Sequence, residues 1–291
     1  MKFRKTILAA VTFVAVLLGV FFWLRPAPPP PIVLPNPNGF DRFIKAGGTI
    51  KRPDDYRKLS EPELLRFVQA NATALVLARD AFNLNSCVPL ADFPEVYRDL
   101  GAIKSIAYGL AAEGRLALME SRTNDAAKSY LDAIRIGQKS MQGGLLIHRL
   151  FDLACEVIGM TPLEKICVGV DSKTSRELIL GLEKIDRESD SAAEVEKRER
   201  GWSRAKYGLK GQIEWIVQSR SLQPFKPVFA NLEQKINTVE KQRRTLILDL
   251  AAHAFELEKG TRPKSFSDLV PGYLKSIPVD PVTKTNLDYR F

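Results

Sequence analysis

Nineteen consecutive uncharged residues, Thr6 to Leu24, constrain this chain more than any other feature. As a helix rising about 1.5 Å per residue they would reach about 28 Å, close to the roughly 30 Å hydrocarbon core of a bilayer. No face of such a helix is polar, so a membrane span fits it better than a partly solvated core helix. A cleaved leader would have a shorter apolar core and end in small residues, whereas this run leaves through Phe21-Phe22-Trp23-Leu24-Arg25-Pro26. The expectation is an uncleaved, single-pass signal anchor at 6–24. Lys2, Arg4 and Lys5 precede the run and only Arg25 closely follows it, so the positive-inside bias puts a short tail, 1–5, in the cytoplasm and the body outside. The setting this implies is a bacterial inner membrane with the body in the periplasm.

Seven prolines follow between Pro26 and Pro37. Their fixed φ angles and missing N–H donors favour an extended polyproline helix. Residues 25–39 therefore read as a semi-rigid linker, able to hold the body up to about 40 Å from the bilayer. Beyond it the usage is that of a folded chain, 45% hydrophobic and 26% charged, which excludes wholesale disorder and a disulfide scaffold. The net charge of +9 is concentrated. Between Glu196 and Thr245 there are twelve Lys or Arg against five Glu. A basic stripe can mark nucleic-acid binding, but the expected topology puts it across the membrane from the genome. Acids alternating with the bases read more simply as a solvated helix face. No nucleic-acid partner is expected.

The body reads as mainly α. Four pairs have the capping-box spacing, Ser60/Glu63, Asp92/Glu95, Thr161/Glu164 and Thr174/Glu177, and three carry a first-turn proline at Pro62, Pro94 and Pro162. Apolar residues recur at helical spacing behind them. The expected helices lie near 61–83, 95–119, 124–140, 144–159, 162–168, 175–187, 190–220 and 229–259, with a short strand only at the end. Cys87, Cys155 and Cys167 lack Cys-x-x-Cys spacing, which speaks against a zinc knuckle or a redox dithiol. Three buried free thiols are the expectation, with the alternative that a turn near Thr161 brings Cys155 and Cys167 within reach of a bridge.

In 102–137, Leu110, Gly114, Ala126, Tyr130 and Ala133 occupy the large, glycine, alanine, aromatic and alanine positions of a helical hairpin. In this the hairpin weakly resembles a tetratricopeptide repeat. It departs from that pattern at Glu113, Ala117 and Gln138, and no second copy follows. The resemblance implies a repeat-like bundle over 40–221, in which Gly114 and Ala126 admit a close crossing and Tyr130 fills the groove beside it.

From Leu246 the chain carries Phe255, Gly260, Pro263, Leu269-Val270-Pro271, Tyr273-Leu274 and Asp280-Pro281. This tail resembles the region after the long helix in type II secretion major pseudopilins and in related bacterial envelope proteins of unknown function. The anchor lacks the pilin processing signature, so polymerisation is not carried over. Asp280 and Asp288 supply too few oxygens for the six to eight or so that calcium takes, and no metal is expected. The resemblance implies a unit over 222–291, a long helix with an irregular Pro-rich clasp laid back on it.

Catalytic candidates are few. Asp249, His253 and Glu256 share one helical face and could tune an imidazole or ligate zinc. His148 and Asp152 are spaced similarly. Against this stand the apolar Leu246, Leu250, Ala254 and Leu257, and no hydrolase elbow, phosphate loop, dinucleotide fingerprint or zincin motif occurs. No catalytic, cofactor or metal residue is assigned. Asn71-Ala72-Thr73 fits a glycosylation sequon in mid-helix. The expected role is a membrane-anchored periplasmic scaffold that binds other envelope proteins, linked to secretion or pilus-like assembly. The alternative is a tethered enzyme or sensor for a cell-wall or small-molecule ligand.

Overall fold

A computed structural model describes residues 33–51, 55–90, 93–220 and 225–291, without the side chains of 93–94, 209–220 and 225–228. The expected anchor and most of the linker lie outside these residues. The body is mainly α. Its helices are α1 (Gly39–Thr49), α2 (Glu61–Ala81), α3 (Phe93–Met119), α4 (Thr123–Ser140), α5 (Leu146–Ile166), α6 (Ser172–Glu188), α7 (Ala192–Arg220), α8 (Phe225–Lys259) and the single turn α9 (Phe266–Leu269). Among the described residues no helix is long and apolar enough to cross a membrane.

Helix α1 opens on Asn38, whose carbonyl oxygen accepts from Phe40 N at 3.2 Å and Cys87 N at 3.0 Å while its amide donates to Cys87 O at 2.8 Å. One side chain thus caps a helix and ties the end of the linker to the 83–90 segment. Helix α2 starts at the Ser60/Glu63 box, with Glu63 accepting from Ser60 N at 2.8 Å and Ser60 Oγ at 2.6 Å. Helix α3 starts at Phe93, beside Asp92, which lies outside the described residues. Helices α3, α4 and α5 then pack as consecutive hairpins, α6 lies against α4 and α8, and α8 also runs along α5. One continuous apolar core extends from Phe43 to Leu287.

Small residues set the crossings. A Cβ on Gly114 would come within 2.6 Å of the Tyr130 ring, so the hairpin closes as its Gly, Ala and Tyr pattern implies, with Ala126 and Ala133 buried. At the next crossing a Cβ on Gly159 would sit 2.4 Å from Tyr130 O. The departures from the repeat pattern have their own partners. Glu113 pairs with Arg79 and accepts from Ser129 Oγ at 2.8 Å, while Arg79 reaches Asp132 at 2.7 Å. Gln138 donates to Glu188 O at 3.0 Å.

Two expected helix starts are corrected. Thr161/Glu164 starts no helix, because α5 runs through Pro162 without a break. Proline removes one backbone bond, but buried Met160 and Leu163 on either side hold the segment helical. Cys155 and Cys167 are therefore about 18 Å apart along one helix axis, twelve residues at about 1.5 Å each, too far for a bridge. All three cysteines are free. Helix α6 begins three residues before the expected start, since Asp171 Oδ1 accepts from Thr174 N at 2.6 Å and supplies the cap. A box absent from the sequence reading, Ser191/Glu194, starts α7.

The tail turns at Gly260, in the left-handed region at φ 71°. It then folds back on α8. Leu269 and Leu274 are buried, the Phe255 and Tyr273 rings lie 5.5 Å apart, and Tyr289 donates to Asp249 at 2.8 Å. The short strand expected at the end is an isolated antiparallel bridge between Val279 and Asn286, and no strand occurs among the described residues. Prolines at 271, 278 and 281 restrict the donors available for a longer ladder.

Candidate functional site

Sequence spacing places Asp249, His253 and Glu256 together on α8, but their side chains go to different partners. Asp249 accepts the Tyr289 hydroxyl, and burial raises its pKa. His253 Nε2 lies 2.9 Å from Val170 O. A carbonyl only accepts, so this nitrogen carries the proton. Glu256 reaches Arg262 at the surface, at 3.5 Å. His148 and Asp152 also part. His148 Nδ1 accepts from Leu145 N at 3.1 Å, and burial, with Arg198 nearby, lowers its pKa to about 4. Asp152 pairs with Arg149. Among the described residues no three His, Cys, Asp or Glu side chains are grouped to hold a metal ion. Asp280 accepts from Val282 N and Thr283 N at 2.8 and 3.0 Å and pairs with Lys241, which hold its carboxyl well below the usual range. Asn71 is buried and bonded to Lys51 N and Phe67 O, so the sequon is closed to a glycan.

The densest chemistry lies in a buried ion network that sequence reading missed. Arg149, Asp152 and Glu156 project from successive turns of α5 and are buried. Glu156 is shared between Arg149 and Arg243 of α8, itself fully buried. Arg243 also pairs with Asp186 of α6 at 2.8 Å, and Arg244 binds the other Asp186 oxygen at 2.9 Å and the tail carbonyl of Val279 at 2.9 Å. Burial opposes the charge on Arg243, but Glu156 and Asp186 outweigh it and keep the guanidinium protonated. Burial also drives the Asp152 carboxyl up against the pull of Arg149. The network joins α5, α6, α8 and the tail. An open pocket of about 260 Å³ adjoins it, lined by Asp186, Arg187, Arg244, Lys275 and Val279.

A second, wider groove of about 610 Å³ runs between the start of α4, the 168–171 turn and the end of α8. Arg122, Asn124, Asp171 and His253 line it, and Val168 and Leu257 stand on its rim 70% and 52% exposed. Asn124 and Asp171 hold its floor in place, with Asn124 Nδ2 donating to Asp171 at 2.6 Å and Asp171 N donating back at 3.0 Å. Its walls offer hydrogen-bonding groups and apolar rim contacts.

The basic stripe is divided by the fold. Arg243 and Arg244 are drawn into the ion network, Arg198 bonds to Gly144 O and Asp190, and Lys241 pairs with Asp280. From Arg200 to Lys210 the sequence holds four bases and no acid, and Arg200 pairs back one turn with Glu196 at 2.8 Å. No protein-family model, no curated protein and no solved structure matches this chain.

Proposed function

We propose that this protein is a membrane-anchored scaffold of the bacterial cell envelope. Residues 6–24 cross the inner membrane once, and the helical body in the periplasm binds other envelope proteins. The observation that carries the reading is the open groove between the α3–α6 hairpin stack and α8, with Val168 and Leu257 exposed on its rim. Helical stacks present such grooves to extended or helical segments of partners. The likeness of the tail to pseudopilin tails, and of 102–137 to a tetratricopeptide repeat, supports a part in secretion or pilus-like assembly. The test is a photo-crosslinking residue at Val168 or Leu257 in cells. Crosslinks to one or a few envelope proteins, absent from a probe at exposed Lys184, are expected. Crosslinks no different from those at Lys184 sink the reading.

His253 stands in the same groove and favours a second reading, a tethered enzyme or sensor with Asp249 and His253 beside a small ligand. Its Nε2 is already given to Val170 O. His253→Gln leaves a scaffold's phenotype intact and removes most of an enzyme's activity.

A further inference from the structure

The anchor-side end of the body and the acid-free basic stretch are adjacent, through a short chain of contacts. Asn38, at the end of the linker, is bonded to Cys87 at both backbone groups. Val88 N donates to Gln142 O at 2.9 Å, and a Cβ on the neighbouring Gly143 would lie 2.7 Å from Cys87 Sγ. Arg198 of α7 then donates to Gly144 O at 2.6 Å, and Glu199 accepts from Leu146 N at 2.8 Å. The linker and the root of α7 thus meet on one side of the molecule.

One turn beyond Arg198 the character of α7 changes. Trp202 and Tyr207 form an edge-to-face pair at 5.9 Å, Lys206 lies 5.2 Å from the Trp202 ring centre, and Arg200, Lys206 and Tyr207 are exposed. The helix then bends at Gly208, at φ 56° and ψ −136°, with no atom within 4 Å of where its Cβ would stand. A base-rich segment with amphipathic aromatic rings, in which Arg200 pairs with Glu196 at 2.8 Å and Lys206 lies over Trp202, is the composition that seats at a bilayer's headgroup level. Aromatic rings at a nucleic-acid surface would instead stack on bases, which the expected topology removes from reach.

We propose that the Arg200–Tyr207 segment of α7 lies against the anionic phospholipid headgroups next to the anchor, so that the body is held to the membrane at two points and its orientation is set. This inference rests on the anchored reading, and one experiment separates the two. The chain holds three tryptophans, Trp23, Trp202 and Trp215. In the full chain carrying Trp23→Phe and Trp215→Phe, Trp202 is the sole reporter. The protein is reconstituted into phosphatidylcholine vesicles, with or without about a third phosphatidylglycerol and with a headgroup-labelled quencher lipid. Expected are flotation that survives an alkaline wash and quenching of Trp202 that is stronger on anionic vesicles. That excess should fall away in high salt and in Arg204→Glu/Lys206→Glu, whose helix content is checked by circular dichroism. Flotation with Trp202 equally unquenched on both vesicles overturns the inference and leaves the anchor standing. Flotation only on anionic vesicles at low salt, lost in alkali, overturns the anchor and with it the two-point attachment, whatever the quenching of Trp202. No flotation on either vesicle overturns both.

Discussion

Arg243 is fully buried, and its guanidinium is divided between Glu156 and Asp186. Removing one partner of such a set strands a buried charge, which costs about 3–5 kcal/mol. Arg243→Met should therefore lower stability by about that amount in denaturant titration, and Glu156→Gln added to it should cost much less than the sum of the two single changes. The position was partly readable. Residues 232, 236, 239, 243, 246 and 250 fall on one helical face, and all but Arg243 are apolar and buried. Counted instead as one base among twelve, Arg243 looked solvated. His148 gives a second residue-scale prediction. Its pKa is lowered from 6.5 to about 4 by burial and Arg198, so below pH 6.5 or so the unfolded chain binds a proton that the folded one refuses. Stability should then fall as pH drops from about 6.5 to 4, by on the order of 2–3 kcal/mol, and His148→Gln should flatten that part of the profile.

Between elements, the glycines at the crossings decide how closely the hairpins approach. Gly159→Ala would put a methyl group 2.4 Å from Tyr130 O and 2.9 Å from Ile134 N, backbone atoms that cannot move aside. It should destabilise by about 1–3 kcal/mol. Gly101, inside α3 with open space around its Cβ position, should gain about 0.5–1 kcal/mol on change to Ala. Thermal melts of the two variants check both signs. The tail is held at Glu258, which accepts from Arg176, Ser172 and Tyr273; these bonds, Arg176 foremost, lower its pKa to about 2. The stabilisation is present above about pH 4.5 and is lost as pH falls toward 2. Glu258→Gln should loosen 266–274 in hydrogen exchange near neutral pH, and the difference from wild type should shrink below about pH 3. Helix starts were legible where the cap is local, as at Ser60, and Ser191/Glu194 was equally available. The run through Pro162 was not, because it depends on what packs around Met160 and Leu163.

For the whole molecule, the continuous core running from Phe43 to Leu287 has a consequence for truncation. Tyr289 reaches Asp249 and Arg244 reaches Val279 O, so deleting residues 266–291 uncovers the apolar face of α8 and opens one side of the ion network. The shortened chain should unfold at lower denaturant concentration and bind a hydrophobic dye, whereas a loosely appended tail would leave both unchanged. The two ends of the body also differ in kind. One carries the linker attachment at Asn38 and the basic, aromatic stretch of α7, and the groove between α4 and α8 lies along another part of the surface.

Periodicity and caps act over a few residues, so the sequence by itself determined the mainly helical class, most helix starts, the close Gly114–Tyr130 crossing and the shape of a tail that turns at Gly260. Which polar groups meet is a matter of three-dimensional neighbours, and only the tertiary structure decided it. It sent Asp249, His253 and Glu256 to three separate partners and brought Glu156, Asp186 and Arg243, up to 87 residues apart, into one buried set. The physical reason is that a charge can be buried only where another element supplies its counter-charge, and no local spacing encodes which element that is.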